Sequence, residues 1–171
     1  MATLHRIFKD LNVQALESVL TAWWNSWLPP GGGLALDGKT ARGSHAEGHD
    51  AVQLLVAFVQ RLNVALAECA IVEHDEIGTA ATLLGDLDLT GWIITGDAKF
   101  TQKQLATQII AAQGDYVFTV KANQPTLYQD IATLYSALDV VADTVTTTRD
   151  CTCHGDRIER RVLTASSALR D

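Results

Sequence analysis

The 171-residue sequence predicts an α/β protein whose sheet is largely parallel in its second half. Two long apolar runs, residues 52–60 and 91–96, are typical of strands that are buried on both faces. After residue 75, segments with helical periodicity alternate with segments of strand character. This alternation favours helices that pack against a central sheet.

The first predicted element is a helix over residues 12–28, with Asn12 as its N-cap. Two prolines and three glycines in residues 28–33 end this helix. The later elements are predicted from apolar periodicity: strands at 34–37, 52–60 and 64–73, a helix at 75–87, a strand from 91 that ends on Asp97, a helix at 101–113, a strand at 115–121, a helix from Pro125 to about Leu138, and strands at 144–149 and 157–165.

Composition limits the function classes. No apolar run approaches the roughly 20 residues that span a bilayer, so no membrane partner is expected. Three cysteines do not make a disulfide framework, which favours a reducing cytoplasm. A net charge of −7 argues against a nucleic-acid partner, because phosphate binding requires a positive surface.

The distribution of the cations leaves two interpretations open. Eight of the 13 lysines and arginines occur in four short windows: Lys39 with Arg42, Lys99 with Lys103, Lys121 alone, and Arg157 with Arg160 and Arg161. A basic cleft on an acidic protein would explain this clustering. A solvated surface of mixed charge explains it equally well.

Two aspartates are each predicted to be the last residue of an apolar strand. Asp37 occurs in "LALDGKTARGS" and Asp97 in "GWIITGDAKF". Side chains at strand ends leave the core and converge, and paired carboxylates suit Mg²⁺ or Mn²⁺. Two such ions can stabilise the attacking and leaving oxygens of a phosphodiester, with lysines on its phosphates. Spacing alone favours the simpler alternative, in which Asp37 begins a turn and Lys39 is merely exposed.

Four phrases of the sequence together resemble a known family. They are "LALDGKTARGS", "LLGDLDLTGWIITGDAKFTQKQLATQI", "GDYVFTVKANQPTLYQDI" and "HGDRIERR". They are similar to the DDE transposases of bacterial insertion sequences, in the branch that includes the H-repeat-associated proteins. The resemblance implies an RNase H-like mixed sheet flanked by helices, in the bacterial cytoplasm. It also implies DNA cleavage and strand transfer at element ends with Mg²⁺ or Mn²⁺ in a two-metal site, DNA as partner, and a possible homodimer.

Carried over by motif, the resemblance makes Asp37 the first catalytic acid and Asp97 the second, both as metal ligands. The family's third acid is a glutamate in a later helical motif that this sequence does not contain. Glu159 is the one late glutamate, and it is expected to belong to a strand region that precedes that acid. The alternative is that Glu159 serves as a substitute catalytic residue. Residues expected to contact DNA are Lys39, Arg42, Lys99, Lys103, Lys121 and Arg157. "EHDEI" at 73–77 departs from the family's usual "KSNEI".

The resemblance also predicts a division of the chain. Residues 1–33 are the end of an N-terminal helical region, 34–142 a partial RNase H-like core, and 143–171 an incomplete strand-rich insertion. The chain is accordingly expected to be an internal or truncated piece of a transposase, with two of three acids and an incomplete metal site. A non-catalytic DNA-binding or oligomerising remnant is the alternative.

Overall fold

A computed structural model describes residues 2–27, 31–41, 44, 51–71, 73–136 and 145–167. The chain forms two compact units, Met1–Val120 and Lys121–Asp171, which are described separately. The first unit contains α1 (Ala2–Lys9), α2 (Val13–Trp27), β1 (Gly32–Thr40), β2 (Gln53–Val59), β3 (Val64–Ala70), α3 (Glu76–Gly85), β4 (Trp92–Gly96), α4 (Lys103–Ala111) and β5 (Asp115–Phe118). The second unit contains α5 (Pro125–Ser136), β6 (Val145–His154) and β7 (Arg157–Ser166). The divisions predicted near residues 33 and 142 remain predictions.

The first unit is built on a mixed five-stranded sheet in the order β3-β2-β1-β4-β5. β1, β2 and β3 pair antiparallel, whereas β1, β4 and β5 pair parallel. The α/β class, the mixed sheet flanked by helices and its parallel second half are therefore confirmed.

One apolar cluster lies between the sheet and helices α3 and α4. β1 and β4 contribute Leu34, Leu36 and Ile94, which are almost fully buried. The buried residues of the two helices are Ala80, Leu83, Leu84, Leu105 and Ile109. Because the buried positions alternate along β1 and β4, successive side chains of these strands point to opposite faces.

The N-terminal helices are mostly exposed. Asn12 caps α2 as predicted, since its Oδ1 accepts the backbone N–H of Ala15 at 3.0 Å. Trp24 packs against the core, whereas Trp23 and Trp27 are exposed. The sequence analysis did not assign α1, whose eight residues expose Leu4, Ile7 and Phe8. None of the described helices is long and apolar enough to cross a bilayer.

The predicted end of β1 was wrong. The strand continues three residues past Asp37, because Lys39 and Thr40 still pair with Leu54 and Gln53 of β2. The prediction used the end of the apolar run, but strand length here is set by pairing with β2. By contrast, β4 ends at Gly96, and Asp97 is the first residue after it.

The second unit contains α5 and a separate antiparallel hairpin of β6 and β7. Both tail strands were predicted, although β6 extends to His154 rather than ending near residue 149. α5 contacts the hairpin through the Tyr135 hydroxyl, which donates to the Thr164 carbonyl oxygen at 3.2 Å. None of the described hydrophobic side chains in this unit is fully buried.

Candidate active site at the carboxyl ends of β1 and β4

The parallel register of β1 and β4 relates the positions of the two predicted acids, Asp37 within β1 and Asp97 just after β4. Leu34 is opposite Ile94, and Ala35 is opposite Thr95, where the pairing stops. Two residues further along each chain are Asp37 and Asp97. Adjacent strands lie about 4.8 Å apart, so a continuation of this register would place the two aspartates side by side. Both are exposed, and Asp37 points away from the sheet face that α3 covers.

Asp37 is a strand residue with an exposed carboxylate. It forms an ion pair with Lys39, which lies two residues further on the same face of β1. The two side chains are 55% and 65% exposed. An ion pair this accessible contributes little to stability, so the carboxylate can exchange Lys39 for another cation at small cost.

Asp97 is held by a tight turn after β4. Its Oδ1 accepts the backbone N–H of Lys99 at 2.9 Å, and its carbonyl oxygen accepts the N–H of Phe100 at 3.2 Å. Phe100 is 1% exposed and packs close to Gly96, where an added Cβ would lie 3.0 Å from the ring. The buried Phe100 therefore fixes the turn, and the turn orients the Asp97 carboxylate.

A third carboxylate reaches this end of the sheet from α3. Glu76 forms an ion pair with Lys99, and its carboxyl group lies against Gly38 on the helix-covered face. The Glu76 side chain is only 15% exposed, whereas that of Lys99 is 52% exposed. Asp75 caps the helix by accepting the Gly78 N–H at 2.8 Å, which fixes the first turn of α3. Glu76 therefore connects the turn after β4, through Lys99, with Gly38 of β1.

The sequence analysis missed Glu76. The available signal was the motif comparison at 73–77, where "EHDEI" keeps the glutamate of "KSNEI" although it loses the lysine. The strand-end argument could not find Glu76 because this residue lies at the start of a helix.

A polar cavity of about 160 Å³ lies beside Glu76. It is lined by Gly38, Lys39, Thr40, Gln53, Ile71, Glu76 and Lys99. Two of the cations that were predicted to contact DNA therefore line one depression. Each of them has a carboxylate partner, so neither is an isolated positive charge.

The donors at this site suit a hard divalent cation. Mg²⁺ commonly binds through one or two carboxylates together with substrate phosphates and water. Asp37 and Asp97 offer this oxygen-only donor set. Elsewhere in the described residues, as here, no three His, Cys, Asp or Glu side chains are grouped closely enough to hold a metal ion by themselves.

The other predicted site residues lie in several places. Lys103 is the exposed first residue of α4, and Arg42 lies outside the described residues. Lys121, Arg157 and Glu159 belong to the second unit. Glu159 is a strand residue, as expected, and its carboxylate pairs with Arg157 at 2.9 Å and with Arg161.

Comparison with known proteins finds several whose sequences are similar to this chain. No family model matches it. An Escherichia coli O157:H7 protein with the name "Putative transposase YncI" is 32% identical over 131 residues, covering 74% of this chain and 34% of that protein. The E. coli K12 "H repeat-associated putative transposase YhhI" is 36% identical over 94 residues, covering 53% of this chain and 25% of that protein. The chain is a homologue of the H-repeat-associated transposases.

The predicted resemblance is thereby confirmed. A Xanthobacter autotrophicus protein, "Uncharacterized protein in dhlA 3'region", is also related, with 35% identity over 135 residues that cover 75% of this chain and 45% of that protein. The chain spans about a third to a half of the length of the relatives that match most of it. Among solved structures, the piggyBac transposase synaptic complex with hairpin DNA matches 99% of this chain and 40% of that chain, with a TM-score of 0.48 and 13% identity.

Proposed function

We propose that this chain carries part of a metal-dependent site for DNA cleavage and strand transfer. Asp37 and Asp97 are its metal-binding carboxylates, and insertion-sequence DNA is its substrate. The observation that supports this most directly is the parallel register of β1 and β4, whose last pair, Ala35 with Thr95, lies two residues before each aspartate. The homology to H-repeat-associated transposases supports the reaction class.

The two aspartates would hold Mg²⁺ or Mn²⁺ through their carboxylate oxygens. When bound, the divalent ion supplies stabilisation of the charge that develops on the attacking and leaving oxygens of the phosphodiester. The task of the protein is to keep the two carboxylates in place before DNA arrives. The Phe100-anchored turn does this for Asp97, and pairing with β2 does it for Asp37.

Lysines around the carboxylates would hold the DNA backbone. Lys99 is half exposed, and Glu76 keeps its ammonium near the carboxyl ends of β1 and β4. Lys39 lies on the same face as Asp37, where a phosphate could replace the carboxylate as its partner. Glu76 thus positions Lys99 without touching the reacting atoms.

The experiment is a calorimetric titration of the chain with Mn²⁺, together with an assay for nicking of supercoiled plasmid. The test variant is Asp37→Asn/Asp97→Asn. The matched control is Asp115→Asn/Asp130→Asn, which removes the same two charges at exposed positions. We expect the test variant to lose Mn²⁺ binding and the control to retain it.

Equal Mn²⁺ binding by the chain and the test variant would overturn the proposal. Nicking that requires Mn²⁺ and both aspartates would establish the catalytic reading. If the chain binds duplex DNA but neither binds Mn²⁺ nor nicks, the non-catalytic alternative replaces it. In that case DNA affinity should survive Asp37→Asn and fall with added salt.

A further inference from the structure

The β6–β7 hairpin has two faces of different charge. In its antiparallel register Asp150 is opposite Arg161, and Thr152 is opposite Glu159. These residues share one face with Arg157, because side chains directly across a strand pair point the same way. The other face carries the intervening residues, Arg149, Cys151, Cys153, Ile158, Arg160 and Val162.

The charges on the first face are largely neutralised. Arg157 pairs with Glu159 at 2.9 Å, and Arg161 pairs with both Glu159 and Asp150, the latter at 3.9 Å. The Glu159 side chain is 24% exposed and is the centre of this network. The first face therefore presents two cations that already have anionic partners.

The second face has cations and no acid. Arg149 is opposite Val162, and Arg160 is opposite Cys151, so the two arginines are diagonal neighbours about 7–8 Å apart. No carboxylate belongs to the described rows of this face, and both arginines are exposed. Ile158 and Val162 are 62% and 63% exposed beside them. We call this surface the Arg149–Arg160 face.

We propose that the Arg149–Arg160 face binds duplex DNA, with the hairpin lying in a groove and the two guanidinium groups on backbone phosphates. This inference rests on the proposed function for the identity of its partner as DNA. Guanidinium groups pair with phosphate through two parallel hydrogen bonds, and within the described hairpin no acid on this face cancels their positive charge. The exposed apolar side chains flank Arg160 along β7, with Val162 opposite Arg149, and there they can contact sugars or thymine methyl groups.

Shape and charge both favour DNA as the occupant. The major groove is about 12 Å wide and admits a two-stranded ribbon. Each strand of the hairpin has ten residues, about 33 Å, which is close to one turn of the duplex. Residues 145–166 contain four arginines against three carboxylates, whereas the whole chain has a net charge of −7. The hairpin therefore attracts a polyanion, whereas the net charge of the chain as a whole repels one.

The test compares charge-matched variants of the two faces in the full chain. Arg149→Ala/Arg160→Ala removes the cations of the proposed face, and Arg157→Ala/Arg161→Ala removes the same charge from the opposite face. The probe is a fluorescent 30-base-pair duplex in 50–200 mM salt, followed by anisotropy. We expect the first variant to bind at least about 10-fold more weakly and to lose nearly 2 from the slope of log affinity against log salt. The second variant should stay within about 3-fold of the unmodified chain, because Glu159 and Asp150 already neutralise these two cations. This outcome would count against the DNA contact that the sequence analysis expects of Arg157.

Arg149→Lys/Arg160→Lys separates charge from folding. This variant keeps the two positive charges, so it should retain most of the slope of log affinity against log salt. It loses the two parallel hydrogen bonds that each guanidinium group can make with a phosphate. Equal weakening by both alanine variants would overturn the inference, because general charge would then explain binding. Absence of duplex binding by the unmodified chain would also overturn it.

Sedimentation tests the rival occupant, a second copy of this chain. A dimer that is lost in Arg149→Ala/Arg160→Ala but kept in Arg157→Ala/Arg161→Ala would overturn the inference in favour of a protein interface. The outcome is separable from that of the proposed function. A chain that binds duplex through Arg149 and Arg160 but fails to bind Mn²⁺ keeps this inference and loses the catalytic one.

Discussion

Gly38 decides where Glu76 lies at the candidate site. With no side chain at Gly38, the Glu76 carboxyl group rests against the β1 backbone and reaches Lys99. A Cβ at this position would lie 3.0 Å from Glu76 Cδ, and still closer to one carboxylate oxygen. The glutamate side chain is flexible, so it would move while the strand stayed in place.

Gly38→Ala is therefore expected to free Lys99 without unfolding the protein. We predict faster amine labelling of Lys99, read by mass spectrometry, and a change in unfolding free energy of less than about 0.5 kcal/mol. Gly85→Ala is the control, since a Cβ there would meet only Gln108 Nε2 at 3.7 Å. Labelling of Lys99 at the same rate in both variants would show that Gly38 does not position Glu76.

Cys69 is the thiol with the most perturbed surroundings. Partial burial raises its pKa, and the nearby carboxylates of Glu17, Asp86 and Glu68 raise it further. Because the thiolate is the reactive form, Cys69 should react with iodoacetamide at pH 8 more slowly than the exposed Cys151 and Cys153. The difference in reaction rate should narrow as the pH rises, because a growing fraction of the Cys69 thiol is then ionised. Equal rates for all three cysteines at pH 8 would contradict this assignment.

Among the helices, α2 and α3 have similar N-caps but differ in how much of each helix packs against the core. Asn12 and Asp75 each accept a backbone N–H three residues along their helix, at 3.0 and 2.8 Å. α3 buries Ala80, Leu83 and Leu84, whereas α2 has only Trp24 packed against the core. A cap on a well-packed helix stabilises the whole unit, and a cap on a loosely packed helix stabilises that helix alone.

Asp75→Ala is expected to destabilise the first unit by about 1 kcal/mol, which corresponds to roughly 4–8 °C in Tm. Asn12→Ala should instead reduce the helical circular dichroism signal before the main transition and leave that transition in place. Calorimetry and dichroism on both variants check this. If Asn12→Ala lowers the Tm of the main transition as much as Asp75→Ala does, α2 unfolds together with the sheet.

At the scale of the whole molecule, burial is concentrated in one unit. Every described hydrophobic residue that is fully buried lies between Leu34 and Ile109. The described part of the second unit has α5 and a two-stranded hairpin without a buried apolar side chain. A two-stranded hairpin alone is marginally stable in water.

Amide hydrogen exchange should report this difference. We expect amides in the centres of β1 and β2 to exchange more than about 100-fold more slowly than those of β6 and β7. Mass spectrometry on peptides from each region measures it. If amides of β6 and β7 exchange as slowly as those of β1 and β2, another surface covers the hairpin in solution. The same exchange measurement with duplex DNA added would then be compared first.

The sequence by itself determined the elements with strong periodicity. The helix after Asn12, the alternation of strands and helices after residue 75 and the two tail strands follow from local patterns of apolar spacing and capping, and they are confirmed. The choice of Asp37 and Asp97 as candidates came from their position after apolar runs and from the family motifs. Their roles remain predictions.

Only the tertiary structure decided which distant residues meet. The extension of β1 to Thr40 depends on pairing with β2, and the parallel register that ends two residues before both Asp37 and Asp97 depends on pairing between β1 and β4. Glu76 joins the site because α3 packs its first turn over Gly38, which no local pattern in the sequence encodes. The difference in net charge between the two hairpin faces likewise depends on strand register. Local periodicity fixes an element, whereas contacts between elements depend on how the whole chain buries its apolar surface.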